Sequence, residues 1–170
     1  MQGVTTVTSG HCGYSTAPTE EMSFSGWQTK VEETGISINI APLVGHGAVR
    51  GLVMGHDWRR KANKAEIEAM KTHVEEAMKS GAFGLSSGLD YPPTQFADKE
   101  ELVELARIAG RYGGFYDPHT RGIHSPWPTQ DPEEVSYGLF YGKPEEAFIG
   151  TYNGYVEAIE IAREADVPLH

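Results

Sequence analysis

The chain has 170 residues, of which 14 are basic and 24 acidic, and its formal net charge is −10. A hydrophobic share of 39% suffices for one packed core, and the length fits one domain or part of a larger one. No apolar run approaches the ~18 residues of a membrane-spanning helix, and the acidic charge disfavours nucleic acid. We therefore expect neither a membrane nor a nucleic acid as a partner. The single cysteine and the absence of a signal-peptide pattern favour a cytoplasmic location.

Strand and helix patterns alternate through the first part of the chain. A β-branched run predicts a first strand over 3–8, and a helix is expected over about 25–33. A second strand is expected over 36–44, where apolar and polar residues alternate at first. It ends in the loop Gly45-His46-Gly47, and the segment 51–62, with its basic cluster, is typical of a solvated loop.

The alternation continues after this loop. Asn63 and Glu66 have the spacing of a capping pair and precede a helix whose apolar residues share one face: Ile67, Met70, Val74, Ala77 and Met78. The later elements are a buried strand at 82–87, a loop at 88–93, a helix capped by Asp98 and Glu101, and a strand from Phe115 that ends at Pro118-His119-Thr120-Arg121.

The stretch 122–150 is rich in proline, glycine and aromatic residues, and we interpret it as an inserted or divergent loop. Its aromatic residues could form a lid, a partner surface or a small core of their own: Trp127, Tyr137, Phe140, Tyr141 and Phe148. A last helix follows, with an apolar set at helical spacing, namely Tyr152, Tyr155, Val156, Ile159 and Ala162. A fifth strand starts at Val167.

This order predicts an α/β domain over 1–170 with parallel strands and crossover helices. Two folds compete, an open doubly wound sheet and a partial (β/α) barrel of the TIM type with roughly five of its eight units. In both folds, ligands bind at the carboxyl ends of the strands. Those ends carry the polar side chains of His11, Cys12, His46, Ser86, Ser87, Asp90, His119 and Arg121.

Cys12 admits two interpretations of equal weight. A lone cysteine is often a small buried hydrophobe, whereas a thiolate beside His11 and Gly13 could bind zinc or act as a nucleophile. Arg121 directly follows a strand end and is the better candidate for binding a substrate carboxylate, ahead of Arg50. Ser87 and Tyr91 either line the pocket or build the turn, and His46 is a further candidate for the pocket.

Several segments of the chain, in order, resemble the N-acyl-D-amino-acid deacylases (D-aminoacylases) of the amidohydrolase superfamily. Gly3-Val4-Thr5-Thr6 with Gly10-His11-Cys12-Gly13-Tyr14-Ser15 is similar to their Gly-Val-Thr-Thr…Gly-Asn-Cys-Gly-Phe-Ser segment. The other matching segments are Leu43–Arg50, Gly81–Pro93, His119-Thr120-Arg121, Ala158–Ala165 and Val167-Pro168-Leu169. His11 replaces the usual asparagine, and Ile123 stands where an acid is common.

The resemblance implies a TIM-type barrel in which zinc activates water to hydrolyse the amide of an N-acylated D-amino acid. It assigns a zinc-ligand role to Cys12 and places the other metal ligands and the catalytic aspartate outside this chain. The site residues we expect are therefore Cys12 for metal and His119, Arg121, Ser87, Tyr91 and His46 for substrate, with no catalytic residue assigned. The chain alone should bind zinc weakly, through Cys12 with His11 or His119.

The resemblance describes a hydrolase that is present here as an internal fragment or a divergent short form. An alternative of another class is a non-catalytic half-barrel that acts by association, with itself or with a second chain that completes the barrel. In that case the inner face, with Val7, Ile40 and Leu85, would be covered by the partner. A doubly wound ligand-binding domain is the third possibility.

Overall fold

The computed structural model describes residues 3–122 and 144–170. Its strands are β1 (Thr6–Ser9), β2 (Asn39–Gly45), β3 (Gly84–Gly88) and β4 (Phe115–His119). Its helices are α1 (Phe24–Thr34), α2 (His46–Met54), α3 (Lys64–Lys79), α4 (Lys99–Arg111) and α5 (Pro144–Ala165), and a single 3-10 turn spans Thr94–Phe96.

The four strands form one parallel sheet in the order β1-β2-β3-β4, which confirms the predicted α/β architecture of a partial barrel. The predicted fifth strand is reduced to one parallel bridge between Tyr116 and Leu169. Because all four strands are parallel, the residues that follow each strand collect at one edge of the sheet. This edge carries the candidate site.

Helix α3 forms where local sequence and tertiary packing agree. Asn63 accepts a hydrogen bond from the backbone of Glu66, and the Glu66 carboxylate accepts one from the backbone of Asn63, so that the capping box is complete. The residues buried by the helix are those predicted from their spacing: Ile67, Met70, Val74, Ala77 and Met78. They pack with Val44 and Leu85 of the sheet in the hydrophobic core.

The core also corrects one expectation for the interior of the barrel. Leu85 has no exposed surface and belongs to the core between sheet and helices, together with Val44 and Tyr116. Leu85 was predicted to face the interior of the barrel. Because side chains alternate along a strand and Leu85 packs on the helix side, that prediction is wrong. The opposite face of the same region carries Ser86 and Asp117.

The loop predicted at Gly45-His46-Gly47 is wrong, because α2 begins at His46, directly after β2. His46 and Arg50 lie one helical turn apart and are both fully buried, so polar residues occupy part of the inward face of this helix. An apolar helical period is therefore missing from the sequence. Residues 55–63 remain irregular, as expected for the second half of the predicted loop.

Helix α5 begins at Pro144, within the stretch interpreted as a loop, and the rest of that stretch, 123–143, lies outside the described residues. The buried residues of α5 are Ala158, Ile161, Ala162 and Ala165, whereas four residues of the predicted apolar set are exposed: Tyr152, Tyr155, Val156 and Ile159. At its Gly154 position the helix lies very close to the turn after β4. A Cβ atom on Gly154 would overlap the carbonyl oxygen of Arg121.

Within the described ranges, we find no helix that combines the length and the apolar character needed to cross a bilayer.

Candidate functional site

Cys12 lies in a tight turn at the carboxyl end of β1. Its φ angle is +59°, in the left-handed region, which costs a non-glycine residue on the order of 1–3 kcal/mol unless its surroundings impose it. Gly10 and Gly13, on either side, also have positive φ angles of 86° and 76°. The turn therefore presents a half-buried thiol in a backbone conformation that the rest of the molecule must hold.

Three hydrogen bonds hold the backbone around Cys12. Ser86 accepts one from the backbone N–H of Gly13 at 3.0 Å, and its hydroxyl donates to the carbonyl oxygen of Gly10. Tyr91 donates from its phenol to the carbonyl oxygen of Cys12 at 3.0 Å. Since Ser86 is on β3 and Tyr91 in the loop after it, the thiol is positioned from the centre of the sheet.

His119, at the end of β4, is the imidazole that the fold brings to Cys12. Its Nδ1 lies 3.8 Å from the Cys12 Sγ, although the two residues are 107 positions apart. On the other side of the ring, the Oδ2 atom of Asp90 is 4.0 Å from Nε2. The predicted gathering of Cys12 and His119 at one edge is confirmed.

Tyr91 forms the wall beside this pair. Its ring stacks on Tyr14, with centroids 5.7 Å apart, and meets the His119 ring edge-on at 5.0 Å. Burial raises the pKa of the Tyr91 phenol. The phenol is therefore neutral at physiological pH and acts as a donor.

A buried charge cluster, which the sequence did not reveal, lies behind the loop that carries Tyr91. Glu101 accepts from His46 Nε2 at 2.7 Å and also binds the guanidinium of Arg50, and none of the three side chains has exposed surface. Burial by itself would raise the pKa of Glu101, but the hydrogen bond from His46 and the charge of Arg50 outweigh it and lower the pKa. The only sequence signal was the helical spacing of His46 and Arg50.

This cluster also changes the cap of α4. Asp98 accepts from the backbone of Glu101 at 3.1 Å, as the predicted capping pair requires. The Glu101 side chain does not return to Asp98, because it binds His46 and Arg50 instead.

His46 is fully buried and has no surface that faces a pocket in this structure. Its role in binding substrate stays a prediction.

Arg121 is held by protein groups rather than facing the site. Its Nε donates to the Glu157 carboxylate at 3.0 Å, and its terminal nitrogens donate to the carbonyl oxygens of Gln95 and Ala97. Only 5% of its side chain is exposed. The guanidinium thus joins α5 to the loop after β3, and its role in binding a substrate carboxylate stays a prediction.

Ser87 lies on the helix side of β3. It is fully buried, and its hydroxyl is 2.7 Å from the phenol of Tyr116. Burial raises the pKa of that phenol. In this structure Ser87 therefore stabilises the core, and its predicted place in the pocket remains untested.

His11 reaches across the concave face of the sheet. Its Nδ1 is 2.7 Å from Asp117 on β4, and its Nε2 is 2.7 Å from the Thr8 hydroxyl. His170, at the end of the chain, binds the other oxygen of Asp117 at 3.2 Å. His11 is thus committed to Asp117 and not to Cys12, which leaves His119 as the imidazole beside the thiol.

The donor set fits part of a metal site. A thiol and an imidazole are the donors that zinc prefers, and their 3.8 Å separation allows one ion to contact both. Within residues 3–122 and 144–170, however, no group of three or more histidine, cysteine or acidic side chains is arranged to hold a metal. A complete site needs further ligands from elsewhere.

No family model matches the chain, whereas curated relatives do. A D-aminoacylase of Alcaligenes xylosoxydans xylosoxydans is 38% identical over 138 residues, and an N-acyl-D-aspartate deacylase of the same organism is 36% identical over 139 residues. Each alignment covers 71% of this chain but 28% of the relative. The chain therefore spans less than a third of the length of these relatives.

Solved structures show the same relation in three dimensions. A D-aminoacylase described as defining a novel subset of amidohydrolases superposes with a TM-score of 0.77 at 31% identity, over 99% of this chain and 34% of that one. An N-acyl-D-glutamate deacylase from Bordetella bronchiseptica, complexed with zinc and a phosphonate mimic of the tetrahedral intermediate, gives 0.76 at 25% identity over the same shares. D-aminoacylase is described as having a binuclear metal centre.

Proposed function

Because the chain belongs with the D-aminoacylases of the amidohydrolase superfamily, we propose that it contributes part of a metal-dependent site that hydrolyses the amide of an N-acyl-D-amino acid. The observation that carries the proposal is the placement of Cys12. Its thiol is held at the carboxyl edge of the sheet by a left-handed turn, 3.8 Å from His119. One curated relative is an N-acyl-D-aspartate deacylase, and D-aminoacylase has a binuclear metal centre.

Cys12 and His119 are the residues of this chain that would hold the metal, and we propose zinc. A thiolate paired with an imidazole suits zinc better than magnesium or calcium, which prefer oxygen ligands. When bound, such an ion polarises the amide carbonyl and lowers the pKa of a coordinated water. Asp90 stands on the far side of His119 and would keep its ring oriented toward Cys12.

The substrate would lie against the same edge. Of the predicted substrate residues, His119 would be occupied by the metal, whereas Tyr91, whose phenol donates to the Cys12 carbonyl, can offer its ring to an acyl group or an amide. Arg121 would reach a substrate carboxylate only by giving up its bond to Glu157. His46 and Ser87 are fully buried and would support the residues that line the site without touching the substrate. We assign no catalytic acid or base within the chain and expect the isolated chain to be inactive.

The test is zinc binding by the purified 170-residue chain, by metal analysis and titration. We expect zinc to bind weakly and Cys12→Ser and His119→Ala each to lose it, while His56→Ala, at an exposed histidine remote from the edge, binds as before. Turnover of N-acetyl-D-amino acids should be absent. Zinc binding that survives Cys12→Ser, or turnover that survives it, would contradict the proposed role of Cys12.

A second candidate function is association, in which the partial barrel is completed by another copy or another chain. Two observations favour it. The edge strand β1 is exposed along Thr6–Thr8, and α5 exposes an apolar stripe at one helical spacing, with Tyr155 and Ile159 each 57% exposed. Both surfaces are of the kind that a further β/α unit covers in a closed barrel.

We also propose a cytoplasmic location. The one cysteine, Cys12, lies in a site where oxidation would remove the thiolate, which suits a reducing compartment.

A further inference from the structure

The buried pair formed by Arg50 and Glu101 is connected to the Cys12 turn by two separate routes, although neither residue touches that turn. One route runs through the loop 91–93, and the other through the first turn of α2. Both end on the backbone carbonyls of Cys12 and its neighbour Gly13.

The first route begins at the guanidinium. The Nε atom of Arg50 donates to the carbonyl oxygen of Pro93 at 3.0 Å, which fixes the loop from behind. In front, the carbonyl oxygen of Pro92 accepts from the phenol of Tyr14 at 2.9 Å. Tyr91 directly precedes these two anchored residues, and its phenol donates to the carbonyl oxygen of Cys12.

The second route runs through α2. His46 and Arg50 both bind Glu101, so α2 is tied to α4 at its first residue and one turn later. The backbone N–H of Ala48, in that first turn, donates to the carbonyl oxygen of Gly13 at 3.3 Å. Gly47 allows the approach, since a Cβ atom there would lie 2.8 Å from the same oxygen.

We propose that Arg50 and Glu101 are positioning residues for Cys12, which keep its backbone left-handed and its thiol beside His119. The proposal rests on the proposed metal site and names what sets its geometry. The left-handed conformation is unfavourable for cysteine. Besides the two bonds of Ser86, contacts to the carbonyl oxygens of Cys12 and Gly13 hold it from outside the turn. Loosening the pair would let the turn relax and take the Sγ atom away from His119.

The test uses the fact that Cys12 is the only cysteine of the chain, so that a disulfide reagent such as DTNB reports on it alone. At fixed pH and under native conditions, the rate of thiol modification is measured with and without zinc. We expect Glu101→Gln and Tyr91→Phe to raise the rate at least tenfold and to raise the zinc concentration needed for protection by a similar factor. Arg50→Lys keeps a cation beside Glu101 but loses the planar guanidinium that binds several acceptors at once. It should also raise the rate of modification and the zinc concentration needed for protection.

Met70→Ala is the matched control, because it removes a fully buried side chain from α3 without touching either route. It should lower stability while leaving the DTNB rate and the zinc midpoint within twofold. If Glu101→Gln and Arg50→Lys behave like Met70→Ala in both readouts, the pair is only structural and the proposal is wrong. If zinc fails to protect even the unsubstituted chain, the proposed metal function is wrong, and the DTNB rates still decide the positioning role.

Discussion

His11 and Asp117 face each other across the open side of the sheet, with Nδ1 and Oδ2 2.7 Å apart, although β1 and β4 are not neighbours in it. The contact joins the first strand to the last one by side chains alone. It is possible because the sheet curls, as the strands of a barrel do. Asp117 also binds His170, so one carboxylate connects three segments of the chain.

Replacing Asp117 by asparagine should therefore loosen the edge strand. We expect a loss of about 0.5–1.5 kcal/mol in the free energy of unfolding, typical of a net hydrogen bond that is partly exposed to solvent. Hydrogen exchange should rise in β1 more than in α3. The comparison variant is Glu33→Gln, at an exposed carboxylate in α1, which should change neither quantity. Unchanged exchange in β1 would show that the contact does not hold the strand.

Stability should fall at acid pH because of Glu66. Its hydrogen bonds from Arg60, opposed by a smaller effect of burial, lower its pKa from 4.5 to about 2. A carboxylate whose pKa is lower in the folded state stabilises the fold above pH 4.5, and this contribution is lost as the pH falls toward 2. We expect Glu66→Gln to flatten that fall in urea unfolding, because glutamine keeps the capping box but carries no charge.

The control for this measurement is Glu20→Gln, at an exposed carboxylate before α1, which should leave the pH profile unchanged. Equal slopes for Glu66→Gln and the unsubstituted chain between pH 4.5 and 2 would refute the assignment.

Two glycines in helices should respond to alanine with opposite signs. Gly154 packs α5 against the turn after β4, and a Cβ atom there would overlap Arg121, so Gly154→Ala should cost about 1–3 kcal/mol. A Cβ atom on Gly51 of α2 would have no other atom within 4 Å, so Gly51→Ala should gain about 0.5–1 kcal/mol. Thermal unfolding of the two variants is the measurement, and a stable Gly154→Ala would mean that α5 can shift freely.

The exposed stripe on α5 should promote association. At micromolar concentration we expect light scattering to show species larger than the monomer, and Ile159→Glu to shift them toward the monomer because it places a charge in the stripe. Thr72→Glu adds the same charge on the exposed face of α3 and should have no effect. A compact monomer for the unsubstituted chain at these concentrations would contradict the association function.

Local sequence determined the elements whose signals are short in range. The capping residues Asn63 and Asp98 and the apolar spacing of α3 each predicted a boundary or a face that the structure has. The alternation of strands and helices then predicted parallel strands, and so placed Cys12 and His119 at one edge. These inferences succeeded because capping bonds and helical periods involve residues a few positions apart.

Tertiary structure decided the features that depend on distant partners. The sequence made His46 a candidate for the pocket and Arg50 a candidate for a substrate carboxylate, whereas in the structure both bind the buried carboxylate of Glu101 on another helix. The apolar set of α5 was identified correctly as helical, yet its large members face outward, and the inward face packs Gly154 against the carbonyl oxygen of Arg121. The sequence alone therefore determined where Cys12 stands in the fold, whereas packing between distant segments decided its left-handed backbone, its partner His119 and the charge cluster behind it, since each rests on contacts that no local pattern encodes.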